Sequence, residues 1–190
     1  MRSIIINTED GSHTLYVPEL DEHYHSVHGA ISESDHIFIK SGLNHSPADP
    51  VRIFEVGFGT GLNALLTCID ATSGGRRIIY TSVEKYPLDE AIVRSLNYTV
   101  LTGDEGKYWF ELIHSCEWNR PVEINKNFIL HKINGDLVSV RTEGLFDIIY
   151  FDAFGPGKQL SMTYTLFTDR ADKSGNRIFL TGDAGEVHGN

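Results

Sequence analysis

The sequence predicts an α/β fold: a parallel, doubly wound sheet of about five strands, preceded by a β-hairpin and helix. Three observations predict it. From residue 51 onward, strand-length apolar runs alternate with helix-length stretches. One of those runs, residues 146–151, is apolar almost throughout, as a strand buried on both faces requires. Between the first run and the first helical stretch lies Gly57-Phe58-Gly59-Thr60-Gly61, a strand-to-helix bend of the kind that approaches a ligand closely.

The elements follow in order. Residues 1–48 read as an N-terminal hairpin and helical extension, and residues 49–190 as the α/β core, the two forming one structural unit. In the extension, residues 3–7 and 13–17 are β-prone and flank Glu9-Asp10-Gly11-Ser12, and Asp-Gly between such runs signals a hairpin. Helical spacing passes through Ile31, Phe38 and Leu43 and ends near Gly42. Residues 44–50 are rich in turn formers and bounded by proline, so they read as a loop. In the core, residues 51–56 form the first strand and residues 62–71 the first helix. Residues 77–83 form the second strand, entered through Ser73-Gly74-Gly75. A helix is expected to follow Pro87, because proline suits a helix's first turn. Residues 108–118 form an amphipathic helix with Trp109, Leu112, Ile113 and Cys116 on one side. Residues 128–133, 146–151 and 177–181 supply the last three strands.

Composition narrows the function. Hydrophobic residues make up 41% of the 190, ordinary for a globular chain. No apolar run approaches the roughly 20 residues of a membrane helix, and the N-terminus lacks the long apolar region of a signal peptide, so a cytoplasmic protein is expected. Two cysteines make neither a disulfide framework nor a metal cluster. His23, His25 and His28 lie close together, but no cysteine accompanies them and no metal site is expected. They read as a solvated helix start, with His25 lining the pocket. The net charge is −10, and residues 1–50 hold 2 basic and 8 acidic side chains. That balance argues mildly against a nucleic-acid substrate, since phosphate contacts need a basic face.

The bend after the first strand is the strongest chemical signal. The helix that begins after Gly61 aims unpaired N–H groups at an anionic ligand in the turn. The spacing is G-x-G-x-G, with Leu62 where a dinucleotide fingerprint has its third glycine. That favours a cofactor whose anionic end is a carboxylate, such as S-adenosylmethionine. Glu55, just before the loop, is placed to meet the cofactor's ammonium. Glu84 ends the second strand 23 residues after Gly61, close to the ~20-residue interval at which an acid meets ribose hydroxyls. Asp136, after the third strand, is placed to accept from an adenine amino group. All three acids lie just past the carboxyl ends of strands, the edge where open parallel sheets bind ligands.

Several stretches then resemble the MnmC/MnmD-type methyltransferases. They are Asp10-Gly11-Ser12-His13-Thr14-Leu15-Tyr16, Tyr24-His25-Ser26, Gly29-Ala30, Glu33-Ser34, Phe38-Ile39, Glu55 to Asn63, Glu84-Lys85-Tyr86-Pro87-Leu88 and residues 150–158. The match covers about residues 9 to 158. The resemblance implies a Rossmann-like, S-adenosylmethionine-dependent methyltransferase acting on the 5-aminomethyl group of the wobble uridine in the tRNA anticodon loop. It implies a cofactor site of Glu55, Gly57, Gly59, Gly61, Asn63, Glu84, Lys85 and Asp136, and a substrate side of Tyr24, His25, Phe154, Pro156 and Lys158. Asp152 would be the catalytic residue, orienting the amine. Tyr24 and Phe154 would stack on the uracil. In some members the methyltransferase is fused to an FAD oxidoreductase, here separate or absent; no membrane or metal partner is implied.

The chain departs from the family at Gln159-Leu160-Ser161-Met162-Thr163-Tyr164, where Asn-Pro-Glu-(Met/Leu)-Trp is usual. The last two strands of the family's sheet are also expected to be missing, which suggests a truncated or divergent copy. Two further readings remain open at the level of sequence. One is a small-molecule methyl- or aminopropyl-transferase; the other is a non-catalytic remnant that binds the cofactor weakly or not at all.

Overall fold

The computed structural model describes residues 2–142 and 144–152 in full and the backbone of the strand Phe179–Thr181. Its centre is a six-stranded sheet with the order β6-β7-β5-β4-β8-β9. The strands are β4 (Val51–Val56), β5 (Ile78–Glu84), β6 (Pro121–Asn125), β7 (Phe128–Asn134), β8 (Ile148–Phe151) and β9 (Phe179–Thr181). Five of them run parallel, as the apolar runs predict. The sixth, β6, pairs antiparallel with β7 and was missed by the sequence reading. None of its residues is fully buried and polar alternates with apolar, so it lacks the apolar run that marks a buried strand.

Residues at alternate positions of each strand separate the two faces. Val51, Ile53, Ile78, Tyr80, Phe128, Leu130, Ile148 and Tyr150 point to one face and are fully buried there. The helices α2 (Leu62–Gly74) and α5 (Gly103–Ser115) cover this face with Leu62, Leu65, Cys68, Phe110 and Ile113. Phe54, Val56 and Val83 point the other way and pack with Ile133, Leu137, Val140, Phe146 and Phe151.

The strand order sets where a ligand can lie. From β4 through α2 to β5 the chain moves one way across the sheet, then reaches the edge strand β6 and turns back into β7 beside β5. The next strand, β8, then returns to the opposite side of β4. Neighbouring connections therefore diverge between β4 and β8, which opens a crevice at their carboxyl ends.

Helix boundaries departed from expectation in three places. The helix after Pro87 is α3 (Glu90–Ser95), begun at Asp89 rather than at the proline. A one-turn helix α4 (Tyr98–Leu101) follows it, and α5 starts five residues earlier than the apolar spacing suggests. The buried face of α5 is Gly106, Phe110 and Ile113, with Trp109 half-buried beside it. Gly106 extends that stripe by a turn, but a glycine is silent in a hydrophobicity pattern.

The extension consists of β1 (Ile4–Asn7), β2 (His13–Val17) and the short β3 (Glu22–His23), a three-stranded antiparallel sheet. The third strand was not expected, and it takes His23 out of the helix start where the sequence reading put it. Helix α1 (Ala30–Ser34) continues through a wider, π-helical turn at Asp35–Lys40, closed by the Ser41 N–H donating to the His36 carbonyl at 2.9 Å.

Asp10 organises this region. Its carboxylate accepts from the Thr8 hydroxyl at 2.7 Å and from the backbone N–H groups of Ser12 and Ser32, each at 2.9 Å. Burial opposes its charge, but these bonds hold its pKa well below the ordinary carboxylate value. A Cβ at Gly29 would stand 2.8 Å from the Asp10 carboxylate, so a side chain there would displace it. The extension is tied to the core by the Tyr98 hydroxyl donating to the His13 carbonyl at 2.8 Å and by the Tyr150 hydroxyl donating to that of Phe38 at 2.9 Å. Leu15, Ala30, Phe38 and Leu43 share one hydrophobic cluster with the core strands.

Candidate active site at the carboxyl edge of the sheet

The bend leaves β4 through three glycines with positive φ, Gly57 at 88°, Gly59 at 51° and Gly61 at 73°. Only glycine adopts such a run without strain. Space is restricted as well. A Cβ on Gly61 would meet the His114 ring nitrogen at 2.7 Å, and one on Gly59 would meet the Tyr24 ring at 3.1 Å. Helix α2 starts at Leu62, so its first-turn N–H groups have no acceptor within the helix.

Glu84, at the end of β5, lies against this bend. One oxygen accepts from the Gly59 N–H at 3.0 Å and the other from the Tyr86 N–H at 2.7 Å. Each oxygen keeps a second lone pair for a hydroxyl donor. Asp136 and Lys85 are joined, with Nζ donating to Oδ2 at 2.8 Å. Lys85 lowers the pKa of Asp136, and the Val138 N–H assists at 3.1 Å. Both acids thus stand along the carboxyl edge of the sheet.

Asp152 follows β8 on the other side of the bend, and its N–H donates to the Val56 carbonyl at 3.2 Å. Its Oδ2 accepts from the Asn63 amide at 2.8 Å and stands 3.5 Å from His25 Nδ1. The Asp152 side chain is 24% exposed. Burial raises its pKa, against the effects of His25 and Asn63. The other ring nitrogen of His25 bonds the Thr60 hydroxyl at 2.8 Å, so the ring bridges the glycine bend to the catalytic candidate.

Glu55 occupies a different position from the one its place in the sequence suggests. It is completely buried, its Oε1 accepting from Asn63 at 3.2 Å and its Oε2 from the Ser82 hydroxyl at 2.7 Å. Burial pushes its pKa up to about 8, the Ser82 hydrogen bond opposing and the nearby Asp152 reinforcing the shift. A carboxyl so enclosed faces Asn63 rather than the crevice, and reaching a cofactor's ammonium would require those bonds to break. Tyr24 is similarly displaced: it lies over Gly59, and burial pushes its pKa up to about 12 with Glu84 contributing. It therefore belongs to the Glu84 end of the edge, while His25 belongs to the Asp152 end. Phe154, Pro156, Lys158 and the stretch 159–164 lie outside the described residues.

The sequence reading missed three contributors. Thr60 holds His25 through its hydroxyl, and its carbonyl accepts from His114 at 3.1 Å. His114 is kept neutral, its pKa pushed down to about 4 by burial and by Lys132. Lys132, buried in β7, donates to the carbonyls of Ile113 and His114 at 2.7 and 3.0 Å, closing the end of α5. A signal for Lys132 existed: it continues the core-facing series Phe128, Leu130, where only an apolar residue is otherwise at home. Behind the bend lies a cavity of about 690 Å³ lined by Phe58, Gly59, Phe110, His114, Trp118 and Lys132, among others. Glu84, Asp136 and Asp152 are not among its lining residues, and Gly59 is where it meets the bend. Among the described residues no cluster of His, Cys, Asp or Glu could hold a metal ion, and no helix is long and apolar enough to cross a membrane.

No family model matches the chain. Its sequence is 30% identical over 166 residues to the tRNA 5-methylaminomethyl-2-thiouridine biosynthesis bifunctional protein MnmC of Campylobacter fetus subsp. fetus, covering 84% of this chain and 27% of that protein. The protein of the same name from Burkholderia mallei is 36% identical over 111 residues, 52% of this chain and 16% of the relative. The chain thus spans about a quarter or less of the length of these relatives. The crystal structure of MnmC2 from Aquifex aeolicus superposes with a TM-score of 0.71 over 97% of this chain and 60% of that one, at 24% identity. The chain is therefore related by sequence to the MnmC/MnmD-type proteins, and its Rossmann-like sheet is the fold of MnmC2.

Proposed function

We propose that this chain is an S-adenosylmethionine-dependent methyltransferase acting on the 5-aminomethyl group of the wobble uridine in a tRNA anticodon loop. The observation that carries the reading is the meeting of the glycine bend, Glu84 and Asp152 at one edge, on either side of the point where the strand order reverses. The relationship to the MnmC proteins supports the substrate.

The residues fit the cofactor. The cradle of positive-φ glycines and the start of α2 offer N–H groups to a carboxylate. The free lone pairs of Glu84 suit two ribose hydroxyls, and the Lys85–Asp136 pair lies where an adenine amino group would come. Bound there, the cofactor supplies an electrophilic methyl on a sulfonium. The chain's own part is alignment, because in-line transfer depends on holding the amine at the right distance and angle. Asp152 orients the amine and accepts the proton that the methylated nitrogen releases, and His25 keeps Asp152 in place. A carboxylate also favours the unreactive ammonium form, so exclusion of water from the crevice has to work in the opposite direction. The reading implies a cytoplasmic location.

A second reading, transfer to a small-molecule amine, is favoured by the charge of −10 and the acidic residues 1–50. One assay separates the two. Labelled methyl should pass from S-adenosylmethionine to undermodified tRNA, and Asp152→Asn should slow it by about 100-fold or more. Transfer to small amines with none to tRNA would select the second reading, and full activity in Asp152→Asn would remove Asp152 from its role.

A further inference from the structure

Two carboxyl groups, Glu55 and Asp152, share a single amide. Asn63 Nδ2 donates one N–H to Glu55 at 3.2 Å and the other to Asp152 at 2.8 Å. The Asn63 carbonyl oxygen is buried without a partner, so the side chain is turned wholly toward serving the two acids. Glu55 is inaccessible to solvent, whereas Asp152 is partly open and has His25 beside it. The groups facing Glu55 are Tyr80 and Ser82 of β5, Asn63 of α2, Tyr150 of β8 and Asp152 just after it. None of them is a cation. The tyrosine hydroxyls are both buried and raised in pKa, so they stay neutral. Two anions joined through one neutral amide, with a single histidine available to them, would be a costly arrangement in a site this dry.

We infer that Glu55 is held as the neutral acid and serves as a positioning residue, so that the pair carries one negative charge and Asn63 steers that charge onto Asp152. The glutamate that opens the glycine bend is then a neutral support beneath the reactive carboxylate. Its catalytic consequence rests on the methyltransferase reading: a single anion raises the pKa of a bound amine less than two would, and so leaves more of it in the nucleophilic form. The protonation state itself needs no substrate, so the inference and that reading can fail separately.

Carbon-13 NMR of the intact chain, labelled at the carboxyl carbons of Glu and Asp, tests it without ligand. The Glu55 signal is identified by its loss in Glu55→Gln and the Asp152 signal by its loss in Asp152→Asn. Glu55 is expected to titrate above neutrality and Asp152 at a lower pH than Glu55. In Asp152→Asn the Glu55 midpoint should fall, because the neighbouring anion has gone, a response that marks the two carboxyls as one coupled pair. Melting temperature supplies a second readout. From pH 5 to 8, wild type should lose about 10 °C relative to Glu55→Gln, since each pH unit over which only the folded chain holds the proton lowers the folding constant about tenfold, a few degrees in a chain of this size. If Glu55→Gln does not fold, Glu55→Asp, which keeps a carboxyl in place, supplies the assignment and the wild-type titration decides. Glu55 ionised throughout pH 5–8, or Asp152 titrating above Glu55, would overturn the inference.

Discussion

Helix α2 is bounded by two glycines in nearly the same conformation, and the contrast between them measures what the glycine bend is for. Gly61 precedes the helix at φ 73°, ψ 11°, and Gly75 follows it at φ 73°, ψ 4°. Alanine at either position meets the left-handed penalty of about 1–2 kcal/mol. At Gly75 a Cβ would touch nothing within 4 Å, so that penalty is the whole cost. At Gly61 the Cβ would stand 2.7 Å from His114 Nε2 and 3.1 Å from the Phe58 ring. His114 would have to withdraw and give up its bond to the Thr60 carbonyl, about 1 kcal/mol. Crowding of a packed interior adds about 1–3 kcal/mol. Gly61→Ala should therefore cost about 3–6 kcal/mol and Gly75→Ala about 1–2. Urea unfolding followed by circular dichroism reads both, with a common m-value as the check that the unfolded states match. Costs equal to within about 0.5 kcal/mol would show that His114 yields freely, and the claim that it packs tightly beneath the bend would fall.

Two further outcomes follow from the same edge. Glu84→Ala removes the acceptor for the Gly59 and Tyr86 N–H groups and for the proposed ribose hydroxyls, so calorimetry should show S-adenosylmethionine binding about tenfold weaker or worse; unchanged affinity would refute the ribose assignment. His114 has a folded pKa of about 4 against an ordinary 6.5, so the stability it confers is present above pH 6.5 and is lost as pH falls toward 4. The loss amounts to about 3 kcal/mol at most, and denaturant midpoints across that range should show a slope that His114→Asn largely lacks.

The sheet was legible because burial on both faces writes itself into the sequence as uninterrupted apolar runs. Residues 51–56, 78–84, 128–134 and 148–151 all fall on or within a residue or two of the expected strands. Elements that bury little were not legible. Strand β6 is held by its ladder to β7 and leaves most of its side chains half-buried or exposed. Strand β3 has two residues. Glycine and acid positions at the carboxyl edge were also readable, since the bend and the ends of the strands can be placed from spacing alone.

Orientation is what spacing could not supply, and the period-two rule shows where it was nevertheless written. Val51, Ile53 and Glu55 alternate onto one face of β4, Ile78, Tyr80 and Ser82 onto the same face of β5, and Phe128, Leu130 and Lys132 onto that of β7. In each series the third member is polar, and the three registers align: Glu55 pairs with Ser82, and Ser82 with Lys132. A polar row under a helix layer needs internal partners, and each member finds them. Ser82 donates to Glu55, Asn63 bonds Glu55, and Lys132 closes α5. Glu55 was therefore marked as a core residue by its own alternation, even though its place before the glycines suggested contact with a ligand. Where alternation and motif position disagree about a residue near a strand's end, alternation governs which way the side chain points, because the pleat leaves it no choice. The motif position then says only which neighbour the residue serves, and for Glu55 that neighbour is Asp152.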